Sequence, residues 1–329
     1  MNESIKIKIA VSSAIRNQLE LDIDDYKLKG IGELCNLIIE YNSDLPKTSE
    51  NKQFTRESNE LFKNCPPLQF TLHKRNAFFE QIAQSKGAKL ASLCRHYLEQ
   101  YVALPRGGRE LFLKKVELIK VNTAIKKKKN ICISYKGKII EIAPCFIAFS
   151  PSNVRAYLVG CRDPKEIAFI EGEKESPFKA YRICHISDVI IKEDEAFHTK
   201  SNALFRKSED FKEHFDPFLC YGQELHIHLT EEGVKLFKTI ATNRPKILKA
   251  PGESRKKKES LIETALENCT PGIYTLECSP DLAKVYFPQF LETAQIISPA
   301  GLRNYFRQRF LSAATAYGLF DPLDKKKAP

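Results

Sequence analysis

The run Arg155-Ala156-Tyr157-Leu158-Val159-Gly160 is short, mostly apolar, and bounded by Ser152-Asn153 before it and Asp163-Pro164 after it. Such a run reads as a strand closed off by turn residues. Working outward, Ile131, Ile133 and Tyr135 alternate into a hairpin through Lys136-Gly137-Lys138, continued by Ile140 and Ile142. Phe146 to Phe149 and Phe178 to Ile186 read as further strands. Several short strands separated by Pro, Gly, Ser and Asn predict a small β-barrel. An amphipathic helix is expected before it, from Arg109 to Val121, with Leu111, Phe112, Lys115, Val116 and Ile119 at helical spacing. Lys126, Lys127, Lys128 and Lys129 follow as a four-lysine run, read either as a solvated loop or as part of a basic binding surface.

Alternation along the strand places Arg155 and Tyr157 on one face, with Arg162 just beyond its end. Cations beside an exposed aromatic suit single-stranded nucleic acid. Bases stack on the ring, at roughly 1–3 kcal/mol each, while guanidinium groups hold phosphates. Tyr135, Phe146, Phe149 and Tyr181 read as core packing, and for Arg182 a structural salt bridge competes with a binding role. No acid, base and nucleophile converge at recognisable spacing, so no catalytic residue is expected.

The whole chain has 329 residues, which suggests two or three domains. Lys+Arg 52 against Asp+Glu 41 gives a formal net charge of +11, while 43% hydrophobic residues, with 21 Phe and 12 Tyr, supply a sizeable core. The chain is therefore globular and basic, which implies a polyanionic partner, either nucleic acid or an anionic membrane surface. No stretch approaches the roughly 18 to 20 apolar residues of a spanning helix. Residues Met1 to Lys8 alternate charged and apolar side chains without a signal peptide's apolar run, so a cytoplasmic protein is expected. Ten scattered cysteines without a Cys-x-x-Cys pair read as free thiols in a reducing compartment. His226 and His228 share a strand face, but two ligands do not make a metal site, and neither metal nor cofactor is expected.

In the N-terminal third, Ile5, Ile7 and Ile9 alternate with Lys6 and Lys8 as a half-buried strand. A helix from about Ser12 to Asp25 follows, then a loop through Gly30 and a second helix carrying Leu34, Leu37, Ile38 and Tyr41. The plan recurs: Leu68, Phe70 and Leu72 alternate with Gln69, Thr71 and His73, and helical faces follow at Phe78, Phe79 and Ile82 and at Leu90, Leu93, Tyr97 and Tyr101. Leu34/Leu90, Leu37/Leu93 and Tyr41/Tyr97 all lie 56 positions apart. A polar linker, 42–67, ending in Pro66-Pro67, joins the copies. One such strand cannot be buried alone, whereas two copies in one chain can pair their strands internally.

In the last third, Leu225, Ile227 and Leu229 form a strand leading into a helix with Val234, Leu236, Phe237 and Ile240. Strand Ile273–Cys278, helix Leu282–Phe290, strand Gln295–Ser298 and helix Gly301–Tyr317 complete a sheet with helices on one side. Between them Arg255 to Lys258 form another basic run, read as an exposed loop. On the last helix Arg303 and Arg307 stand at i, i+4 and repel unless an anionic group faces them. An acidic side chain at a subunit contact, or a phosphate, would serve.

Several of these strings carry family resemblances. Strand, helix, glycine turn, helix, best seen with Ser85-Lys86-Gly87 before Leu90 and Leu93, resembles a ribbon–helix–helix unit. In that family the ribbon's outward side chains enter a DNA major groove, here Lys6 and Lys8 with Gln69, Thr71 and His73. Ala156-Tyr157-Leu158-Val159-Gly160 resembles the Trp-Tyr-Leu-Val-Gly signature of the WYL domain, and Tyr181-Arg182-Ile183-Cys184-His185-Ile186 resembles the Phe-Arg-Leu-Asp-Arg-Ile run that closes it. Ala156, Cys184 and His185 depart from those patterns. The resemblance implies an Sm- or SH3-like barrel binding a ligand, often nucleic acid, through Tyr157, Arg182 and His185. The last third is similar to the extension that follows many WYL domains, down to Ser298-Pro299-Ala300-Gly301-Leu302-Arg303, and this favours Arg303 and Arg307 as a dimer contact.

The expected fold is an α+β multidomain chain. It comprises an N-terminal ribbon–helix–helix region over 1–104, a central Sm/SH3-like WYL β-barrel over 109–197 and a C-terminal α/β-sandwich extension over 198–329. This order resembles the WYL-domain accessory proteins encoded with type VI-D CRISPR RNA-targeting nucleases. It implies a non-enzymatic homodimer that binds single-stranded RNA and enhances the nuclease. The competing expectation is a transcriptional regulator that grips duplex DNA through the ribbon and senses a nucleotide or nucleic-acid ligand.

Overall fold

The computed structural model describes residues 5–42, 67–85, 87–150, 154–163, 169–170, 173–174, 176–253 and 269–318. Most of the 42–67 linker and the basic run Arg255 to Lys258 lie outside these residues. The chain divides into two compact units, one of residues Met1–Leu158 with Tyr181–Asp194, the other of Val159–Ala180 with Glu195–Pro329.

The first unit begins with β1 (Lys6–Ile9), α1 (Ser13–Tyr26) and α2 (Ile31–Glu40), then repeats the order in β2 (Leu68–Thr71), α3 (Phe79–Ser85) and α4 (Leu90–Ala103). The two strands pair antiparallel, with Ile7 opposite Phe70 and Lys8 opposite Gln69. Period-2 alternation decides their facing: Ile7, Ile9, Leu68 and Phe70 are buried, while Lys6, Lys8, Gln69 and Thr71 are exposed. Leu19, Leu34, Ile38, Leu93 and Leu98 close the core beneath the ribbon. Ser12 caps α1, its hydroxyl accepting from the Ile15 N–H at 3.3 Å. The buried Asn36 ties α2 to the end of β2. Its amide donates to the carbonyl of Thr71 at 2.9 Å, and its oxygen accepts from the His73 N–H at 2.7 Å.

The single helix expected over Arg109–Val121 is two, α5 (Arg106–Leu113) and α6 (Lys115–Lys127), broken at Lys114. The break turns Phe112, Leu113, Val121 and Ala124 inward and leaves Val116 and Ile119 about half exposed, so of the face expected from sequence Leu111 and Phe112 pack while Val116 and Ile119 do not. The four-lysine run is not a loop either. Lys126 and Lys127 form the last turn of α6, Lys128 caps it in the left-handed region, and Lys129 opens the next strand. Cations there oppose the negative end of the helix dipole.

A five-stranded sheet follows, built from β3 (Lys129–Tyr135), β4 (Lys138–Ser150), β5 (Arg155–Cys161), β8 (Phe178–Arg182) and β9 (Ile186–Glu195), with a short β6–β7 hairpin (Phe169–Ile170 and Glu173–Lys174) between β5 and β8. The order is β8-β5-β4-β3-β9, an open sheet. Among the described residues no sheet closes into a barrel, which corrects the expected Sm/SH3-like closure. The β3–β4 turn is Lys136-Gly137, with φ of 51° and 78°. Two successive left-handed residues are the type I′ geometry that matches strand twist in a tight hairpin. The strand expected over Phe178–Ile186 is interrupted by a 3-10 turn at Ile183–His185, which separates β8 from β9.

In the second unit, α7 (Asn202–Glu213) precedes a four-stranded sheet of β10 (Glu224–Leu229), β11 (Lys246–Lys249), β12 (Gly272–Glu277) and β13 (Ala294–Ser298), in the order β11-β12-β10-β13. Sequence reading missed β11, whose four residues carry only Ile247 and Leu248 as apolar signal. The helices are α8 (Glu231–Thr239), α9 (Pro280–Tyr286) and α10 (Ala300–Ala316). Leu225, Ile227 and Leu229 point into a core with Tyr274, Leu276, Phe237 and Tyr286. Every described pairing in this sheet is antiparallel, and β13 is an edge.

Candidate nucleic-acid interface

The strand that carries the WYL-like string does not present the face read from it. All seven residues of β5 are buried, because the strand lies between β4 and β8 with packing on both faces. Tyr157 is 8% exposed and Arg155 9%, so neither forms an open stacking platform. Arg155 instead reaches Asp25, with Nη1 3.8 Å from the carboxylate. Arg106 pairs with the same carboxylate. Alternation fails as a guide to exposure in a strand covered on both sides.

Arg109 and Glu110, at the heart of α5, explain how this region is held. Glu110 is fully buried, and its two carboxylate oxygens accept from the Ala156 N–H at 3.0 Å and the Cys184 N–H at 2.9 Å. The carboxylate thus joins β5 to the 3-10 turn. Hydrogen bonds to both oxygens compensate the loss of hydration. Arg109 donates through Nε to Asp22 at 2.8 Å, and Asp22 also accepts from the Tyr101 hydroxyl at 2.8 Å.

In the first unit Arg182, His185, Tyr135 and Lys136 gather at the 3-10 turn and the β3–β4 hairpin. Arg182 is half-buried. Its Nε is buried without a hydrogen-bond partner, and among the described residues no carboxylate pairs with its guanidinium. His185 is half-buried and stands edge-on to Tyr135, with ring centroids 6.1 Å apart. Tyr135 in turn meets the buried Tyr181 edge-on at 5.1 Å, and the Lys136 ammonium lies 5.6 Å from its ring centre. Burial pulls the His185 imidazole below its usual pKa, and the nearby Arg182 and Lys136 charges push the same way. The ring is therefore neutral near pH 7, able to donate from one nitrogen and accept at the other. Burial raises the Tyr135 phenol, which remains a neutral hydroxyl. Tyr135 is the residue sequence reading assigned to the core; the tyrosine preceding Lys136-Gly137 was the signal that places it beside the hairpin cations.

The remaining expected residues fall elsewhere. Arg162 lies in the second unit, half-buried, with its N–H bonded to the Pro177 carbonyl at 2.9 Å. Lys126, Lys127 and Lys128 are exposed, whereas Lys129 bonds to Glu193. Lys6 and Lys8 sit on the open face of the ribbon. Arg303 and Arg307 are exposed on α10 and line an open groove of about 500 Å³ with Phe287, Leu291, Phe306 and Phe310, beside the β13 edge. Among the described residues no group of His, Cys, Asp or Glu could hold a metal, and no helix is long and apolar enough to cross a membrane. Among the described residues nine cysteines are unpaired, and burial pushes the Cys184 thiol up to about 12, which makes it a poor nucleophile.

No protein-family model and no curated protein matches this sequence. Among solved structures the fold matches one described as "Crystal structure of a CRISPR Cas-related protein", with a TM-score of 0.60 and 17% identity. That match covers 97% of this chain and 95% of the other. The proteasome accessory factor B/C (PafBC) of Arthrobacter aurescens aligns at a TM-score of 0.23 and 14% identity, over 69% of this chain and 29% of the other. At 17% identity the first match establishes a shared fold along nearly the whole chain.

Proposed function

We propose that this protein is a single-stranded RNA-binding accessory factor of a CRISPR–Cas system, of the type VI-D kind, that enhances the RNA-targeting nuclease without cutting RNA itself. One observation carries the reading: Arg182, with no carboxylate partner among the described residues, borders His185 and the half-buried Tyr135 in a single cluster with Lys136. A guanidinium left free of acids is set to hold a phosphate, and an aromatic edge beside it accepts a base. The whole-chain fold match to a CRISPR Cas-related protein and the WYL-like strings support the context. Unpaired thiols fit a cytoplasmic setting.

The test is binding of unrelated single-stranded RNA, single-stranded DNA and duplex DNA across a salt series. RNA preference is expected, with the logarithm of affinity falling by about 0.7 per phosphate neutralised for each tenfold rise in salt. Arg182→Ala is expected to weaken RNA binding about 10- to 100-fold, the loss of one charge-assisted hydrogen bond of roughly 1.5–3 kcal/mol. The same change should exceed the effect of Lys6→Ala with Lys8→Ala. Sequence-selective duplex binding lost on the Lys6 and Lys8 changes would replace this reading with the regulator, which the exposed ribbon of Lys6, Lys8, Gln69 and Thr71 favours.

A homodimer through α10 is part of the proposal. The unpaired β13 edge beside a groove lined by Phe306, Phe310, Arg303 and Arg307 supports it. Arg303→Glu with Arg307→Glu is expected to shift the sedimenting species to a monomer while the melting temperature holds. A dimer unchanged by both charge reversals would remove α10 from the interface.

A further inference from the structure

We propose that Phe149, seated on Gly107 at the start of α5, is a base-stacking platform, and that Arg106 beside it holds the adjoining phosphate, so that the two form a nucleotide subsite for single-stranded RNA. The inference rests on the RNA-binding reading above and adds residues which that reading does not use. All of them belong to the first unit.

A close contact fixes the ring. Gly107 is buried in the first turn of α5, and a Cβ placed on it would stand 2.0 Å from Phe149 Cε2 and 2.8 Å from Cδ2. The edge of the Phe149 ring therefore lies against the helix backbone where only glycine admits it. Glycine is a poor helix former, and the ring explains why one stands there. Sequence reading places Phe149 in the core, yet the residue is 42% exposed. Among the described residues no second ring and no cation lies over it. Packing alone would be served better by a ring buried whole, whereas a base needs a fixed ring with an open face.

The charges beside the ring are uneven. Arg106, the residue before Gly107, donates through Nη2 to Asp25. Arg155 opens β5, shortly after Phe149 at the end of β4, and holds its Nη1 3.8 Å from the same carboxylate. That separation is outside hydrogen-bond range, and Arg155 Nη1 is buried without a hydrogen-bond partner. Two guanidinium groups thus share one carboxylate, and among the described residues no other acid pairs with either. Arg155 is buried, but the Arg106 side chain is 41% exposed, so the surplus charge meets solvent at Arg106. No side chain caps α5 after Pro105, and a cation at its first position opposes the helix dipole. A phosphate would balance both, and the open ring supplies the other half of a nucleotide's recognition.

Position along α5 favours a strand over a free nucleotide. Glu110, four residues and so about 6 Å beyond Arg106, bonds the Cys184 N–H between Arg182 and His185. The two groups of candidate contacts therefore lie along one helix.

The chain contains no tryptophan, so Phe149→Trp places the sole indole of the full-length protein at the ring position. Titration with an oligoadenylate is expected to quench its fluorescence. Phe149→Leu is expected to weaken binding about 5- to 100-fold, the loss of one stacked base, while the melting temperature holds. Arg106→Gln is expected to lower the slope of log affinity against log salt by about 0.7, one phosphate contact, and Arg106→Lys to keep it. Gly107→Ala, whose Cβ displaces the ring, is expected to weaken binding in the unmodified background and no further once Phe149 is leucine. An unquenched indole or an unchanged affinity in Phe149→Leu, with Arg182→Ala still weakening binding, overturns this inference and leaves the RNA-binding reading standing. Equal quenching by adenosine monophosphate at the same nucleotide concentration would make this a mononucleotide pocket and overturn it too. Absence of RNA binding by the unmodified protein removes the reading and the subsite together.

Discussion

Glu110→Ala is expected to lower the melting temperature by about 10 °C and, on the proposed function, to weaken RNA binding together with it. The carboxylate is fully buried and accepts from two backbone N–H groups, those of Ala156 and Cys184. Alanine leaves both donors buried without partners, at roughly 1–3 kcal/mol each, so a loss of about 4 kcal/mol is expected. In a unit of this size each kcal/mol moves the midpoint by roughly 2–4 °C. Glu110→Gln is expected to fall between: its oxygen serves one N–H, while its amide presents a donor to the other. Because Cys184 lies between Arg182 and His185, releasing its N–H also frees the turn that holds both candidate residues. Circular dichroism melts of the three proteins check the order. A Glu110→Ala midpoint within about 2 °C of the unmodified protein would show that water or a rearranged turn satisfies the two N–H groups.

The second large effect is an asymmetry at Asp22 and Arg109. These residues form a buried ion pair, with Arg109 Nε 2.8 Å from the Asp22 carboxylate and side-chain exposures of 7% and 1%. Tyr101 donates its hydroxyl to the same carboxylate, and Arg109 Nη1 donates to the Leu104 carbonyl at 2.6 Å. Burial and the Asp22 charge together push the Tyr101 phenol far above its ordinary range, so it stays a donor. Arg109→Met removes one charge and strands the other, and is expected to cost about 3–5 kcal/mol. Replacing the network entirely, with Asp22→Leu, Tyr101→Phe and Arg109→Met, is expected to recover most of that loss. No buried charge or hydroxyl then remains without its partner, and the apolar replacements pack in the same space. Chemical denaturation of the single and triple variants measures the difference. A triple variant as unstable as Arg109→Met would mean that the network specifies the geometry rather than merely neutralising itself.

Both networks bear on function through position. Asp22, Asp25 and Tyr26 lie on α1, and Tyr101, Arg106, Arg109 and Glu110 lie on or beside α5, so α5 is the element that joins the paired strands' helices to the sheet. Tyr26 adds a hydroxyl donated to the Arg106 carbonyl at 3.3 Å. The two expected losses therefore test the frame of the candidate site, whereas Arg182→Ala tests its surface.

Much of this frame was legible in residue order. The alternation of Ile7 and Ile9 with Lys6 and Lys8, and of Leu68 and Phe70 with Gln69 and Thr71, decides which side of each strand is buried. The 56-residue offset of the helices that follow announces a repeated unit whose strands must pair. Those are local properties of period and volume, and they survive in the antiparallel register of Lys6 with Thr71 and Ile9 with Leu68. Lys136-Gly137 likewise specifies its own tight turn. Arg182 and His185 were found through a motif-like string, and the turn brings them together beside Tyr135.

What residue order could not decide is which polar groups meet one another. Arg155 looked like a free cation because its partner, Asp25, stands 130 positions earlier in the chain. Tyr157 looked exposed because alternation assumes a sheet with one wet face, and β5 has none. Glu110 carried no signal, since a glutamate that binds two distant backbone N–H groups has the same spelling as one facing water. The sequence by itself determined the strands, the repeat and the surplus of positive charge. The tertiary structure decided which of those charges meet carboxylates and which have none beside them among the described residues, because ion pairing depends on a few ångströms between residues that the chain keeps far apart.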